Sequence, residues 1–326
     1  MTARKYLLGI DTGGTYTDAA IIDAAEHRVI ATAKALTTKG DLAVGVSEAM
    51  RVALAALPAG FQRSEIALVS VSTTLATNAV VEGHGGAVGT ILIGFDEAMA
   101  TRSGIAASYA DMPVQIIGGG HDHNGEPRAP LDRDALEAAI GALDPRVEAY
   151  AVAATFAVRN GEHEIEARTL ITARTGKPVT ISTELASALD APRRALTAAL
   201  NARLISRISA LIAAVRRAMA QEQFVCPLMI VRGDGTLALA DTVAARPIET
   251  VLSGPAASLV GAHWLCGLDD FIMSDMGGTT TDLGVLSGGR PRVSEEGAEV
   301  GGWRTMVKGS MSRPSGLAAI AKCCSA

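Results

Sequence analysis

The chain has 326 residues, a formal net charge of −5, and 48% hydrophobic but only 3% aromatic residues. Its length allows a sizeable core and suggests about two domains. Its mild acidity offers no basic surface for a nucleic acid, so we expect no nucleic-acid partner.

Apolar runs and turn signals predict strands that alternate with helices along the whole chain. The predicted strands are 6–10, 19–23, 66–71, 90–95, 149–156, 179–182, 228–231 and 271–274. The predicted helices are 41–57, a short one within 73–82, 132–143, 162–175, a long one over 192–219 and one entered at 253–255. A Gly-rich loop is predicted at 118–130. The alternation favours an α/β fold.

Two segments of the chain repeat each other. Residues 11–18 read D-T-G-G-T-Y-T-D and residues 275–282 read D-M-G-G-T-T-T-D, so six of eight positions are identical. Each segment follows a short apolar strand and leads into another apolar run. The repeat predicts two copies of one glycine-tipped hairpin and therefore a duplicated fold.

The residue types in this hairpin suit a nucleotide triphosphate with its metal. Paired glycines let backbone N–H groups approach an anion without a Cβ in the way. Threonine hydroxyls can donate to phosphate oxygens, and the aspartate that ends the strand can bind Mg²⁺ directly or through water. We therefore predict Asp11 and Asp275 as catalytic and metal-binding residues. The predicted phosphate contacts are Thr12, Gly13, Gly14, Thr15, Gly277, Gly278, Thr279 and Thr280.

Further segments resemble the hydantoinase/5-oxoprolinase family of the actin-like, ribonuclease-H-like ATPase superfamily. Residues 72–83, S-T-T-L-A-T-N-A-V-V-E-G, are similar to its T-T-x-A-T-N-A-x-x-E-G signature. Residues 253–256 are similar to its S-G-P-A motif, 275–282 to its D-M-G-G-T-T-x-D motif, and a glycine pair is expected where 301–302 stand. Val71-Ser72 departs from the His-Gly of many members, which leaves the substrate subclass open.

The resemblance implies an actin-like ATPase fold with two related domains, the second incomplete. It also implies ATP and Mg²⁺ as cofactors, and a hydrolase that opens a cyclic amide of the hydantoin or 5-oxoproline type through phosphoryl activation. A partner subunit of the hydantoinase B type is implied as well. The family shares the segment that follows the predicted strand 66–71. Thr74, Thr77 and Asn78 in this segment are therefore expected to contact the substrate.

Three other functions stay open at this stage. They are a carboxylase subunit that acts on a ketone, a small-molecule kinase of the sugar-kinase type, and a nucleotide-gated binding protein. Fold alone does not choose among them.

The resemblance divides the chain into an N-terminal domain, 1–185, and the start of a catalytic domain, 186–308. Residues 309–326 depart from the family pattern. Read with a one-base shift, codons for this tail can spell the family's expected continuation, so we hypothesise a frameshift near codon 309. The resulting chain is expected to be inactive or unstable because part of its second domain is lost.

The remaining polar residues and the cysteines carry less information. His121, in the glycine-rich loop, and His163, at a helix start, are interpreted as solvated residues. No signal peptide, membrane span or disulfide framework is visible, so a cytoplasmic location without a membrane partner is expected.

Overall fold

The computed structural model describes residues 5–38, 41–108, 111–276, 281–311 and 313–315. The strands are β1 (Tyr6–Thr12), β2 (Tyr16–Asp23), β3 (Arg28–Leu36), β4 (Ile66–Thr73), β5 (Val88–Ile93), β6 (Val114–Ile117), β7 (Ala149–Ala154), β8 (Val179–Ile181), β9 (Leu228–Val231), β10 (Leu237–Leu239), β11 (Phe271–Met276), β12 (Thr281–Ser287), β13 (Arg290–Pro291), β14 (Glu299–Val300), β15 (Trp303–Arg304) and β16 (Arg313–Ser315). The helices are α1 (Leu42–Ala55), α2 (Leu75–Val81), α3 (Glu97–Ser103), α4 (Ile105–Ser108), α5 (Arg133–Leu143), α6 (Glu162–Thr175), α7 (Ala191–Gln221), α8 (Ala240–Ala245) and α9 (Ser253–Cys266).

The first sheet has the strand order β10-β9-β4-β1-β2-β3. Strands β1, β2 and β3 form an antiparallel run, with β2 in the middle. On the other side of β1, β4 runs parallel to β1, and β9 runs parallel to β4. Alternate residues of β1 and β2, such as Leu8 and Ile21, are buried in the same cluster as residues of α1 and α7. This alternation is what a sheet with one face against helices requires. The opposite face of β4 and β9 packs against α9.

A second, parallel sheet with the order β6-β5-β7-β8 lies between α2 and α7 in the chain. Its central strands β5 and β7 are buried at every position, as expected for strands covered on both faces. One face packs with α5 and α6 around a separate apolar cluster, and β7 also packs against α7.

The third sheet holds the second glycine hairpin. Its order is β11-β12-β13, and β16 pairs with the other end of β12. Strands β14 and β15 form a separate hairpin whose two-residue turn is Gly301-Gly302, with φ of 58° and 80°. Positive φ at both turn residues is the reason that glycine occupies them. Strands β9 and β10, which follow the predicted boundary at 185, extend the first sheet, and the division into 1–185 and 186–308 stays a prediction.

Helix α7 begins where the sequence predicts. Asp190 caps it by accepting from the backbone N–H of Arg193, and Pro192 lies in its first turn. The helix is long and apolar enough to cross a membrane by length and composition, but 67% of its most apolar window is buried inside the protein. It also buries Arg194 and Arg203 completely among protein partners. Helix α7 is therefore the central core helix of this fold.

The two histidines differ from the sequence-based interpretation. His121 is fully buried and His163 is 6% exposed, so the expectation that they are solvated is wrong. Their rings lie 4.4 Å apart, and His163 Nδ1 accepts from the backbone N–H of Gly120. The glycine-rich loop folds back over the end of the parallel sheet and covers both rings, which composition alone does not indicate.

Candidate nucleotide site

The two repeated segments form hairpins with the same register. In the first hairpin Asp11 lies opposite Asp18 and Thr12 opposite Thr17. In the second, Asp275 lies opposite Asp282 and Met276 opposite Thr281. In each hairpin four residues of the sequence separate the last paired residues of the two strands, and the first aspartate belongs to the pair before them. The sequence repeat is therefore also a structural repeat in the described strands.

The first aspartates of the two hairpins lie near each other. Burial raises the pKa of Asp11, a hydrogen bond from Ser72 lowers it, and the charges of Asp18 and Asp275 raise it further. Asp11 is exposed to solvent on β1, although neighbouring protein atoms lie close enough to its carboxylate to disfavour the charge. A carboxylate whose charge is opposed by a second carboxylate favours a cation nearby. The charge of Asp275 acts on Asp11, and α9 packs against both β4 and β12, so the two aspartates lie close enough to interact. The space between them is called the crevice below.

A serine hydroxyl holds each of these carboxylates. Ser72 lies beside Asp11 on β4, and its Oγ donates to Asp11 Oδ1 at 2.6 Å. Ser258, on α9, donates to Asp275 Oδ2 at 2.9 Å. Sequence reasoning missed both serines because each contact joins residues that are apart in the chain.

The threonine-rich segment at residues 73–78 packs against the start of α9. These two segments are called the floor of the crevice. Ser253 Oγ donates to the carbonyl of Thr73 at 2.9 Å, and Thr77 Oγ1 accepts from the backbone N–H of Leu252 at 2.9 Å. A Cβ at Gly254 would lie 3.3 Å from Thr74 Cγ2, so these segments are in close contact. The two motifs that resemble the family signatures are thus packed directly on each other.

The first glycine turn touches this floor. The amide of Asn78 donates to Thr74 Oγ1 at 3.4 Å, and its Nδ2 would lie 3.8 Å from a Cβ at Gly14. Thr74, Thr77 and Asn78 are all half-buried at the same corner as the turn. The structure therefore brings the predicted substrate residues next to the predicted phosphate residues of the first hairpin.

Thr37, which the sequence did not single out, braces the first turn. Its hydroxyl donates to the carbonyl of Gly13 at 2.9 Å and lies 3.0 Å from the hydroxyl of Thr17. Its backbone N–H donates to the carbonyl of Thr15. A Cβ at Gly13 would lie 3.0 Å from the carbonyl oxygen of Tyr16, so a side chain at this position would crowd the turn.

The predicted phosphate residues differ in their positions. Gly14 and Thr15 are exposed at the tip of the first hairpin, and Gly13 is half-buried. Thr12 is fully buried and its hydroxyl has no hydrogen-bond partner, so its side chain does not reach the crevice. This burial departs from the expectation that Thr12 contacts phosphate, and it follows from the alternation of β1, where Thr12 shares the core face with Ile10. The predicted contacts Gly277, Gly278, Thr279 and Thr280 lie outside the described residues.

The donor set suits a cation that keeps most of its ligands from water and phosphate. Among the described residues no three His, Cys, Asp or Glu side chains converge as a complete metal site. Asp11 and Asp275 supply two oxygen donors of the kind that Mg²⁺ prefers, and Mg²⁺ in nucleotide sites commonly binds only one or two carboxylates. These two residues therefore fit the ion.

Comparison with known protein families identifies the family of this chain. Residues 7–175 match the hydantoinase/oxoprolinase N-terminal region, and residues 194–311 match the hydantoinase/oxoprolinase domain. The chain belongs to the hydantoinase/oxoprolinase family. A caprolactamase subunit alpha from Pseudomonas jessenii is 29% identical over an alignment of 327 positions, which covers 91% of this chain and 45% of that protein.

Solved structures confirm the fold of this family member. The nucleotide-free structure of an acetone carboxylase, described as ATP-dependent, superposes with a TM-score of 0.82 at 19% identity, over 96% of this chain and 48% of the other. The ATP-dependent caprolactamase from Pseudomonas jessenii gives a TM-score of 0.77 at 27% identity, over 95% and 48%. The predicted actin-like ATPase fold is thereby confirmed. The chain spans about half the length of these relatives.

Proposed function

We propose that this family member acts in the ATP- and Mg²⁺-dependent opening of a cyclic amide. The feature that carries the proposal is the pair of hairpins with equal register whose aspartates, Asp11 and Asp275, face one crevice. A like-charged pair beside exposed backbone N–H groups at Gly14 and Thr15 is suited to a metal-bound polyphosphate. The similarity to a caprolactamase at 27–29% identity favours an amide as the second substrate.

The residues of the site have separate roles in this proposal. Asp11 and Asp275 hold the cation, and the N–H groups of the first turn bind the terminal phosphates. Asn78 and Thr74 lie beside the turn, where an amide oxygen must approach the terminal phosphorus. A bound nucleotide would supply the phosphoryl group: the amide oxygen would displace ADP from the terminal phosphorus, and that oxygen would leave as phosphate when water opens the ring. Catalysis rests on positioning and charge neutralisation, which are the main contributions of a protein to phosphoryl transfer.

The relatives are about twice as long as this chain, and one of them is named as a single subunit. Both facts bear on which part of the whole enzyme opens the ring. A relative that is called subunit alpha implies a second subunit in this family. We propose that the present chain provides nucleotide binding and amide activation, and that a hydantoinase B type subunit completes hydrolysis. The type of ring that is opened, hydantoin, 5-oxoproline or lactam, is determined by comparing these substrates.

The test is a measurement of ATP hydrolysis by a version of the chain extended to the length of its relatives, alone and with a hydantoinase B type subunit, against hydantoin, 5-oxoproline and caprolactam. Amide-dependent release of phosphate that Asp11→Asn abolishes supports the proposal. Asp132→Asn is the matched control, because Asp132 caps α5 away from the crevice and asparagine caps as well as aspartate. Turnover that needs bicarbonate and a ketone would instead identify a carboxylase, and a stable phosphorylated product would identify a kinase.

A further inference from the structure

The two crevice aspartates share a feature that the hairpin repeat does not explain. Ser72 occupies Asp11 Oδ1, and Ser258 occupies Asp275 Oδ2, at 2.6 and 2.9 Å. Each hydroxyl donates to one oxygen of its carboxylate, which leaves Asp11 Oδ2 and Asp275 Oδ1 without a serine partner.

The two serines come from different kinds of element. Ser72 lies on β4, the strand parallel to β1, directly beside Asp11 in the register. Ser258 lies on α9, the helix that packs against both β4 and β12. Among the described residues β11 pairs with β12 alone, so no strand stands beside Asp275 as β4 stands beside Asp11. The same hydrogen bond is therefore made twice by unrelated means, which duplication of the hairpin alone does not produce.

A carboxylate with one oxygen fixed by a hydroxyl has a set orientation. The serine takes one lone pair of one oxygen and orients the group, so a cation is best met by the other oxygen, and contact with both oxygens at once is disfavoured. Mg²⁺ accepts such single contacts, keeps several waters and demands octahedral geometry, whereas Ca²⁺ readily takes both oxygens of a carboxylate. Partners that orient a metal-binding group commonly change metal affinity when they are removed.

We propose that Ser72 and Ser258 are positioning residues that restrict Asp11 and Asp275 to one metal-facing oxygen each, and so make the crevice selective for Mg²⁺ or Mn²⁺ over Ca²⁺. This inference rests on the proposed function, since it takes the crevice to hold a metal–nucleotide complex. It assigns to the chain a source of metal selectivity that lies outside the hairpin motif itself.

The test measures binding rather than turnover. Mn²⁺ binding to the purified chain in the presence of ATP is followed by electron paramagnetic resonance, and competition by Mg²⁺ and Ca²⁺ gives the selectivity. We expect Ser72→Ala and Ser258→Ala each to weaken Mn²⁺ binding about tenfold, the lower end of the effects of removing such partners. Both variants should also narrow the preference for Mg²⁺ over Ca²⁺, and Ser72→Thr, which keeps the hydroxyl, should restore it.

The controls separate positioning from folding. Ser70→Ala alters the same strand at a serine beside Gly9 that is two residues from Ser72, and it should leave Mn²⁺ binding unchanged. ATP binding without metal should also stay the same in Ser72→Ala and Ser258→Ala, because a carboxylate does not bind phosphate. Unchanged Mn²⁺ affinity and selectivity in both variants would overturn the inference alone. A wild-type protein, extended to the length of its relatives, that binds neither ATP nor Mn²⁺ would overturn the proposed function and the inference with it.

Discussion

The two glycine hairpins have the same register but different surroundings. Leu8 and Ile272 occupy equivalent positions, each three residues before the first aspartate of its hairpin. Leu8 is fully buried, whereas Ile272 is 75% exposed. The hairpin is therefore encoded by two local sequence segments, while the burial of each copy depends on elements elsewhere in the chain.

The difference in burial has an identifiable source. Leu8 packs in a core cluster with residues of α1 and α7, such as Val46 and Leu204, and β1 has a neighbour on each side. On the second hairpin α9 covers the face of Gly284, where Leu259 lies 2.8 Å from the position of a Cβ. Ile272 pairs with Val285 on the opposite face, which borders a cavity of about 790 Å³. The second hairpin is thus covered on one face only in the described part of the chain.

The largest expected effect tests this difference in burial directly. Leu8→Ala should lower the free energy of unfolding by about 2–5 kcal/mol, because it leaves a cavity in a packed core. Ile272→Ala should change it by no more than about 0.5 kcal/mol, as substitutions at exposed positions do. Urea unfolding followed by circular dichroism measures both values. Equal losses for the two variants would show that the second hairpin is as well covered as the first.

The next effect concerns what the two hairpins share. Asp11→Asn and Asp275→Asn should each weaken binding of Mg²⁺–ATP roughly 10- to 100-fold, since a charged hydrogen bond or metal contact is worth about 1.5–3 kcal/mol. Titration calorimetry of each variant with ATP and Mg²⁺ provides the measurement. If only one substitution weakened binding, the crevice would use a single hairpin and the pairing would lose its functional meaning.

A smaller effect is expected from a methyl group at the tip of the first hairpin. Gly14 does not have a positive φ, and a Cβ there would meet only Asn78 at 3.8 Å, so Gly14→Ala should fold normally. The methyl group would stand where phosphate must approach the backbone, so we expect roughly tenfold weaker ATP binding, or about 1.4 kcal/mol. Gly141→Ala, in α5 with open space around it, is the control and should leave ATP binding unchanged. Normal ATP binding by Gly14→Ala would place the phosphates away from this turn.

Loss of the Thr37 hydroxyl contacts with the first turn should lower the free energy of unfolding by about as much as Gly14→Ala weakens ATP binding. Thr37→Val keeps the shape of the side chain but removes the hydroxyl contacts with Gly13 and Thr17. A typical net loss for a hydrogen bond is about 1 kcal/mol. Thermal unfolding measures it, and an unchanged midpoint would show that the turn holds its shape without Thr37.

The sequence predicted the two hairpins, their repeat and the long helix, because each of these features is written in a local pattern of residues. The predicted helix 162–175 coincides with α6, and the predicted strand 228–231 with β9. Strand β3 was missed because its sequence, R-V-I-A-T-A-K-A-L, mixes small, basic and apolar residues without a clear alternation.

The hydrogen bonds of the site depend on contacts that no local pattern contains. Ser72 and Asp11 are 61 residues apart, and they meet only because β4 pairs with β1. The burial of His163 depends on Gly120, 43 residues earlier in the chain. Thr12 shows the converse, because the motif suggested a ligand while the alternation of β1 turned its side chain into the core.

The smallest expected effect separates stability from binding at Asp11. Burial and the nearby carboxylates raise the pKa of Asp11 above the ordinary 3.8, so the folded state disfavours its charged form. The stabilisation that comes from a protonated Asp11 is present at low pH and is lost as the pH rises through the raised pKa. Asp11→Asn imitates the protonated group and can still accept from Ser72. It should therefore raise the unfolding temperature slightly at pH 7, and this gain should vanish as the pH falls below the ordinary carboxyl range.

Added Mg²⁺–ATP should reverse that order, because a ligand that binds the folded state stabilises it in proportion to its affinity. With saturating ligand the wild-type chain should unfold at the higher temperature, and without ligand Asp11→Asn should. Thermal unfolding at pH 7 with and without ligand measures both, and Asp132→Asn provides the control at a carboxylate outside the crevice. A variant that is less stable than wild type in both conditions would mean that the charge of Asp11 supports the fold rather than the ligand.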